Sequence, residues 1–99
     1  MASSEARASA MKLAPDDNVA VALRPLSAGE SVALDEGVLT VDRDVAVGHK
    51  IAARAIAAGE TILKYNCPIG VATSDIRAGA YVHTHNVKSA YLPTYVLPA

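Results

Sequence analysis

Apolar and polar positions alternate over short stretches of this chain and never hold a helical period for long. Asn18 to Arg24 interleaves Val19, Val21 and Leu23 with alanines and reads as a strand. Ser31 to Leu34 and Val38 to Val41 read as two short strands around Asp35-Glu36-Gly37, which predicts a hairpin. Lys50 to Ala55 suits either a strand or a helical turn, because alanine favours neither. Thr61 to Tyr65 is a strand. Asn66-Cys67-Pro68 is a turn, since proline cannot donate to a central ladder. Ile69 to Thr73 is short and apolar, and Ser74 or Asp75 can cap a brief helical turn after it. Tyr81 to His85 is the last strand. The predicted fold class is mostly β, with short helical turns.

The ends break this pattern. Residues 1–11 are small and polar and are expected to be a disordered lead-in to a folded domain over 12–86. Residues 87–99 carry Tyr91, Pro93, Tyr95 and Pro98. That stretch is too apolar to float free and too broken by proline for a helix. It is expected to lie extended across a partner surface.

An internal repeat runs beneath the strands. Arg24-Pro25-Leu26-Ser27-Ala28-Gly29-Glu30-Ser31-Val32 matches Arg54-Ala55-Ile56-Ala57-Ala58-Gly59-Glu60-Thr61-Ile62, thirty positions on. Asp75-Ile76-Arg77-Ala78-Gly79-Ala80-Tyr81-Val82 is a third copy. Each unit reads as a corner: an aliphatic anchor, a glycine free to take positive φ, then an aliphatic that opens the next strand.

Composition narrows the class. Ninety-nine residues make one domain, and its core must come from Val, Ile, Leu and Ala, because Phe and Trp are absent. A chain this size buries only about 60–65% of its unfolded surface, which leaves little room for a deep private pocket. Nine basic residues stand against ten acidic ones without a Lys/Arg cluster, which argues against nucleic-acid binding. No apolar run approaches a membrane span. The N-terminal stretch lacks the apolar core of a secretory signal, so a cytoplasmic location is expected. The single Cys67 cannot form an internal disulfide, in keeping with a reducing compartment.

Candidate chemistry gathers near the C-terminus, in His83-Thr84-His85-Asn86. On a strand, His83 and His85 face the same way and can share a metal or divide acid and base roles. Asn86 can hydrogen-bond a substrate oxygen. His49 and Lys50, after Gly48, can contact an anionic substrate. Each has a plainer alternative: an exposed or core-satisfied pair for the first, a turn histidine for the second. Asp16-Asp17-Asn18 reads as turn capping, and Cys67 as a small buried residue.

Five ordered segments together resemble one family. They are Asp17-Asn18-Val19-Ala20-Val21-Ala22-Leu23, Gly48-His49-Lys50-Ile51-Ala52, Gly59-Glu60-Thr61-Ile62-Leu63-Lys64-Tyr65, Pro68-Ile69-Gly70-Val71-Ala72-Thr73-Ser74-Asp75-Ile76 and Val82-His83-Thr84-His85-Asn86. They resemble the small SAF-type domain of altronate and galactarate dehydratase-like proteins, a β-clip fold. The resemblance spans about residues 12–90. It implies a subunit of a hydro-lyase that removes water, or sulfite as in sulfolactate sulfo-lyase, from a hydroxy acid. It also implies a large catalytic subunit as partner, and inactivity of the small one alone.

A divalent metal, usually Fe2+, is implied as cofactor. It would stabilise the enediolate as a Lewis acid, and could be held mainly by the large subunit. On this reading His83 and His85 are catalytic or metal-binding, and His49, Lys50 and Asn86 bind substrate. One departure stands out: Ala14 occupies a position where members of the family commonly carry histidine, ahead of the Asp-Asn-Val-Ala strand. Two other readings stay open, a non-catalytic SAF binding or assembly module and a purely structural subunit. Self-association into a homo-oligomer is also left open.

Overall fold

The computed structural model describes residues 9–34 and 37–89. Among these it holds nine strands: β1 (Ala10–Met11), β2 (Val19–Ala22), β3 (Ser31–Leu34), β4 (Gly37–Thr40), β5 (Lys50–Ala52), β6 (Thr61–Lys64), β7 (Cys67–Ala72), β8 (Tyr81–Val82) and β9 (Val87–Ser89). They form antiparallel sheets in the orders β1-β2-β5-β8, β3-β4 and β6-β7-β9. The described residues contain no helix: of the two readings open for Lys50 to Ala55, Lys50–Ala52 is strand, and the brief helical turn expected at Ser74 or Asp75 is a bend instead. No helix among them is long and apolar enough to cross a membrane.

The repeat becomes a near two-fold arrangement of corners. Leu26 bridges Val45 in one half, and Ile56 bridges Ile76 in the other. The surrounding bonds recur pair by pair. Ala28 N donates to Asp44 Oδ1, and Ala58 N to Asp75 Oδ1, both at 2.9 Å. Gly48 N donates to Ala22 O, and Gly79 N to Ala52 O. Arg24 pairs with Glu30, and Arg54 with Glu60. A fourth corner, Asp44-Val45-Ala46-Val47-Gly48, therefore completes the three seen in the sequence. It lacks the Ala-Gly step that marks the others, carrying Val47 before its glycine; Val47 is exposed, as Ala28 and Ala58 are at the same place in two of the other corners.

Each half has its own apolar core. Ala20, Leu26, Val32, Val41, Val45 and Ile51 cluster in the first. Val19, Ile56, Ile62, Ala72, Ile76 and Val82 cluster in the second. The β-branched side chains suit such short pleated strands. Gly79 locks the halves together: it lies at φ +88°, and a Cβ there would fall 2.1 Å from Thr40 O.

Buried polar side chains stitch the second half to the start of the chain. Asn18 donates from Nδ2 to Thr61 O and accepts from Leu63 N, both at 2.8 Å, standing in for a strand partner. Asp17 accepts from Ala14 N, Tyr65 N and Asn66 N. It thereby holds Tyr65 and Asn66 at φ 56° and 62°, the two left-handed residues of a tight hairpin turn. Burial alone would push the Asp17 carboxyl up, but these donors outweigh it and hold it below its ordinary value of 3.8.

Three boundaries differ from expectation. Ala10 and Met11 pair with Ala22 and Val21, because the edge of β2 takes a strand from the segment expected to be a loose lead-in. Val87–Ser89, expected within the docking tail, pairs with Gly70–Ala72 instead. Cys67 and Pro68 already belong to β7, the central strand of its sheet. Pro68 is tolerated because β9 covers only Gly70–Ala72 and the β6–β7 register slips beside it, at a bulge. The Asp35-Glu36 turn, residues 1–8 and residues 90–99 lie outside the described residues.

Candidate functional site

The last strand is shorter than predicted. β8 ends at Val82, and His83 to Asn86 form a turn closed by Asn86 N donating to His83 O at 3.1 Å. Asn86 is the clamp of this turn. Its Oδ1 accepts from His83 N at 3.0 Å, and its Nδ2 donates to Tyr81 O at 2.8 Å. Both ends of the amide are used inside the fold and the residue is buried. Asn86 thus shapes the turn, and it also lines the cleft beside it.

The turn still brings the two histidines to one place, around the ring of Tyr81. The His83 and His85 rings lie 5.5 and 5.8 Å from it, centroid to centroid. His49 stacks on the same ring at 5.8 Å, and its Nδ1 is 2.7 Å from Tyr81 Oη. His49 and His83 also approach each other, at 5.8 Å. The Arg43 guanidinium lies 5.4 Å above the Tyr81 ring, within cation–π range. Three imidazoles, a phenol and a guanidinium thus share one patch, with His83 and His85 exposed and His49 and Tyr81 half-buried.

Lys50 is not part of that patch. It pairs across the ladder with Val82, and Ile51 pairs with Tyr81. Directly paired residues share a face and successive residues alternate, so Lys50 lies on the face opposite Tyr81. Burial first, and then the nearby charge of Lys64, lower its proton affinity. His49 and Lys50, neighbours in sequence, therefore face different surroundings.

An open cleft of about 730 Å³ adjoins the ring patch through His85 and Asp42. Asp42 links the two, because its Oδ1 accepts from Tyr81 N at 3.0 Å. The cleft also carries Glu60, Asp75 and Arg77. Glu60 is tied to Arg54 and to Ala57 N, which hold its carboxyl at about 2. Asp75 is tied to Ala58 N. Arg77 and His85 are the cleft side chains with charge or proton-transfer capacity that these bonds leave uncommitted.

The sequence reading did not single out Tyr81, Arg43 or Arg77. Tyr81 had an available signal: residues 81, 83 and 85 alternate, and aromatic and imidazole rings fall at each. Ala14 lies in the turn closed by Asp17, beside the Tyr65–Asn66 hairpin tip. Cys67 is exposed rather than buried.

The donor set bears on a metal. Among the described residues, no group of three or more His, Cys, Asp or Glu side chains is arranged to hold an ion. Nδ1 of His49 is already engaged by Tyr81. Among the described residues, His83 and His85 are not joined by a third such side chain in an ion-holding group.

The described residues thus form an all-strand domain of repeated corners that carries a histidine-bearing turn, the make-up of a SAF-type domain. Residues 8–90 match the altronate/galactarate dehydratase SAF domain family, and the chain belongs to it. It is 49% identical over 73 residues to altronate dehydratase from Escherichia coli (strain K12), covering 74% of this chain and 15% of that protein. It is 40% identical over 79 residues to altronate dehydratase from Bacillus subtilis (strain 168), covering 80% and 16%. With (2R)-sulfolactate sulfo-lyase subunit alpha from Paracoccus pantotrophus it shares 45% identity over 51 residues, covering 52% of this chain and 76% of that subunit. The chain spans about one sixth of the altronate dehydratases it matches.

Proposed function

We propose that this chain is the small subunit of a cytoplasmic carbon–oxygen lyase that dehydrates a sugar acid of the altronate or galactarate type, working with a separate large catalytic subunit. Loss of sulfite from a sulfolactate-like acid is the carbon–sulfur variant of the same chemistry. The observation that carries the proposal is the patch of His49, Tyr81, His83, His85 and Arg43, which gathers proton-donating and cationic groups beside an open cleft. Relatives named altronate dehydratase and sulfo-lyase subunit alpha supply the reaction class.

Dehydration breaks two bonds. A base takes the proton from the carbon next to the carboxylate. The electron pair forms the carbon–carbon double bond as the neighbouring carbon–oxygen bond breaks. The departing hydroxyl takes a proton and leaves as water, and the enol becomes a 2-keto-3-deoxy acid. His83 and His85 are exposed imidazoles suited to giving that proton. Arg43 and His49 are suited to holding an anionic oxygen of the substrate. The α-proton base falls to the large subunit, as does any Fe2+, because the described residues gather no group of three ligands for one. A small acid can bridge the two chains, which fits the openness of the cleft beside the patch.

Co-expression with the large dehydratase-type subunit tests this. The expected result is a stable complex that converts altronate, galactarate or sulfolactate when neither chain does so alone. No complex, or a large subunit fully active without this chain, would overturn it.

A further inference from the structure

Tyr81 is held more completely than any neighbour in the ring patch. Its backbone N–H donates to Asp42 Oδ1, and its carbonyl accepts from Asn86 Nδ2. Its ring meets His49, His83, His85 and the Arg43 guanidinium. Its hydroxyl meets Nδ1 of His49 at 2.7 Å. The near two-fold repeat shows how specific this last contact is. The bonds of Gly48 and His49 to Ala22 correspond to those of Gly79 and Ala80 to Ala52. His49 thus corresponds to Ala80, and Lys50 to Tyr81. Neither counterpart can make a phenol–imidazole bond, so the contact departs from the repeat and is not a requirement of the corner.

We infer that Tyr81 is a positioning residue that donates its hydroxyl proton to Nδ1 of His49, so that His49 presents Nε2–H as a hydrogen-bond donor to a hydroxyl or carboxylate oxygen of the substrate. In a neutral imidazole one nitrogen carries the proton and the other accepts. Which is which follows from the bond made by the first nitrogen. A phenol is a far better proton donor than a neutral imidazole N–H, and an imidazole lone pair a far better acceptor than a phenol oxygen. The hydrogen bond therefore runs from Oη to Nδ1, and the ring proton sits on Nε2. Stacking against Tyr81, with His83 tilted beside it, fixes the plane in which that N–H points. What the donor meets rests on the lyase reading above; the proton's position does not, being a property of this chain.

The test uses the full chain labelled with 15N at histidine. Long-range 1H–15N spectra are recorded near pH 9, above the ordinary imidazole range of about 6.5 and below the phenol range of about 10. His49→Gln assigns the signals. The expected wild-type result is a protonated Nε2 and a bare, hydrogen-bonded Nδ1. In Tyr81→Phe, which keeps the ring, the two His49 nitrogens should move toward a common averaged position. A protonated Nδ1 in the wild type, or unchanged His49 nitrogens in the variant, would overturn the inference. The wild-type spectrum decides even if the variant fails to fold. In the two-chain enzyme, Tyr81→Phe should raise KM several-fold more than it lowers kcat. An inactive complex with the expected spectrum would count against the lyase reading alone.

Discussion

Replacing Asn86 by alanine separates a turn clamp from a substrate contact. The substitution deletes two hydrogen bonds, to His83 N at 3.0 Å and Tyr81 O at 2.8 Å, from a buried position. It leaves the backbone bonds of Asn86 with His83 and Thr73 in place. Each lost bond contributes about 0.5–1.5 kcal/mol net. The His83 amide belongs to an exposed residue and can recover water, whereas the Tyr81 carbonyl is half-buried and recovers less. The expected loss is about 2 kcal/mol. For a domain near 100 residues, about 4–8 °C accompanies each kcal/mol, so the melting midpoint should fall by about 8–16 °C. Circular dichroism melts of the chain without substrate measure this. A midpoint within about 2 °C of wild type would refute the clamp and return Asn86 to the substrate.

Other substitutions probe the frame. Gly79→Ala combines a positive φ with a contact 2.1 Å from the Thr40 carbonyl. It should cost about 3 kcal/mol or more in urea unfolding, whereas Gly59→Ala, with open space around it, should cost only about 1–2 kcal/mol from its φ. Asp17→Ala should cost about 2–4 kcal/mol at neutral pH, because the carboxylate satisfies backbone N–H groups of two segments. Since the folded state holds that carboxyl below 3.8, its contribution is present above that value and fades as pH falls through the lower folded one. The gap between wild type and Asp17→Ala should therefore narrow in acid, and a gap that widens there would contradict the assignment.

The strands and corners were legible because their residues carry the information locally. Val32, Ile62 and Val82 are aliphatics that open or occupy strands, and Gly29, Gly59 and Gly79 have positive φ, as the repeat required. The fourth corner was hidden because Val47 stands where the other copies carry alanine, which breaks the Ala-Gly step that marks them. The strand expected over Tyr81–His85 would have set two imidazoles on one face, whereas a turn brings both to the Tyr81 ring. The deciding residue there was Asn86, whose amide substitutes for strand hydrogen bonds in a way periodicity cannot register. Asp17 and Asn18 looked like local caps. Asp17 does cap its own turn at Ala14 N, but both residues also bond backbone groups more than forty residues away, at Thr61 to Asn66. Long-range side-chain pairing of that kind, like the meeting of His49 with Tyr81, exists only once the chain is folded.

The most direct test of a shared lyase site is to titrate the purified large subunit with this chain and follow 2-keto-3-deoxy acid formation. Turnover should rise and saturate at one small chain per large one. A chain carrying His83→Ala and His85→Ala should bind with the same stoichiometry and restore less than about a hundredth of the activity, the scale of a lost general acid. Full activity with the doubly substituted chain would show that the histidine turn takes no part in the chemistry.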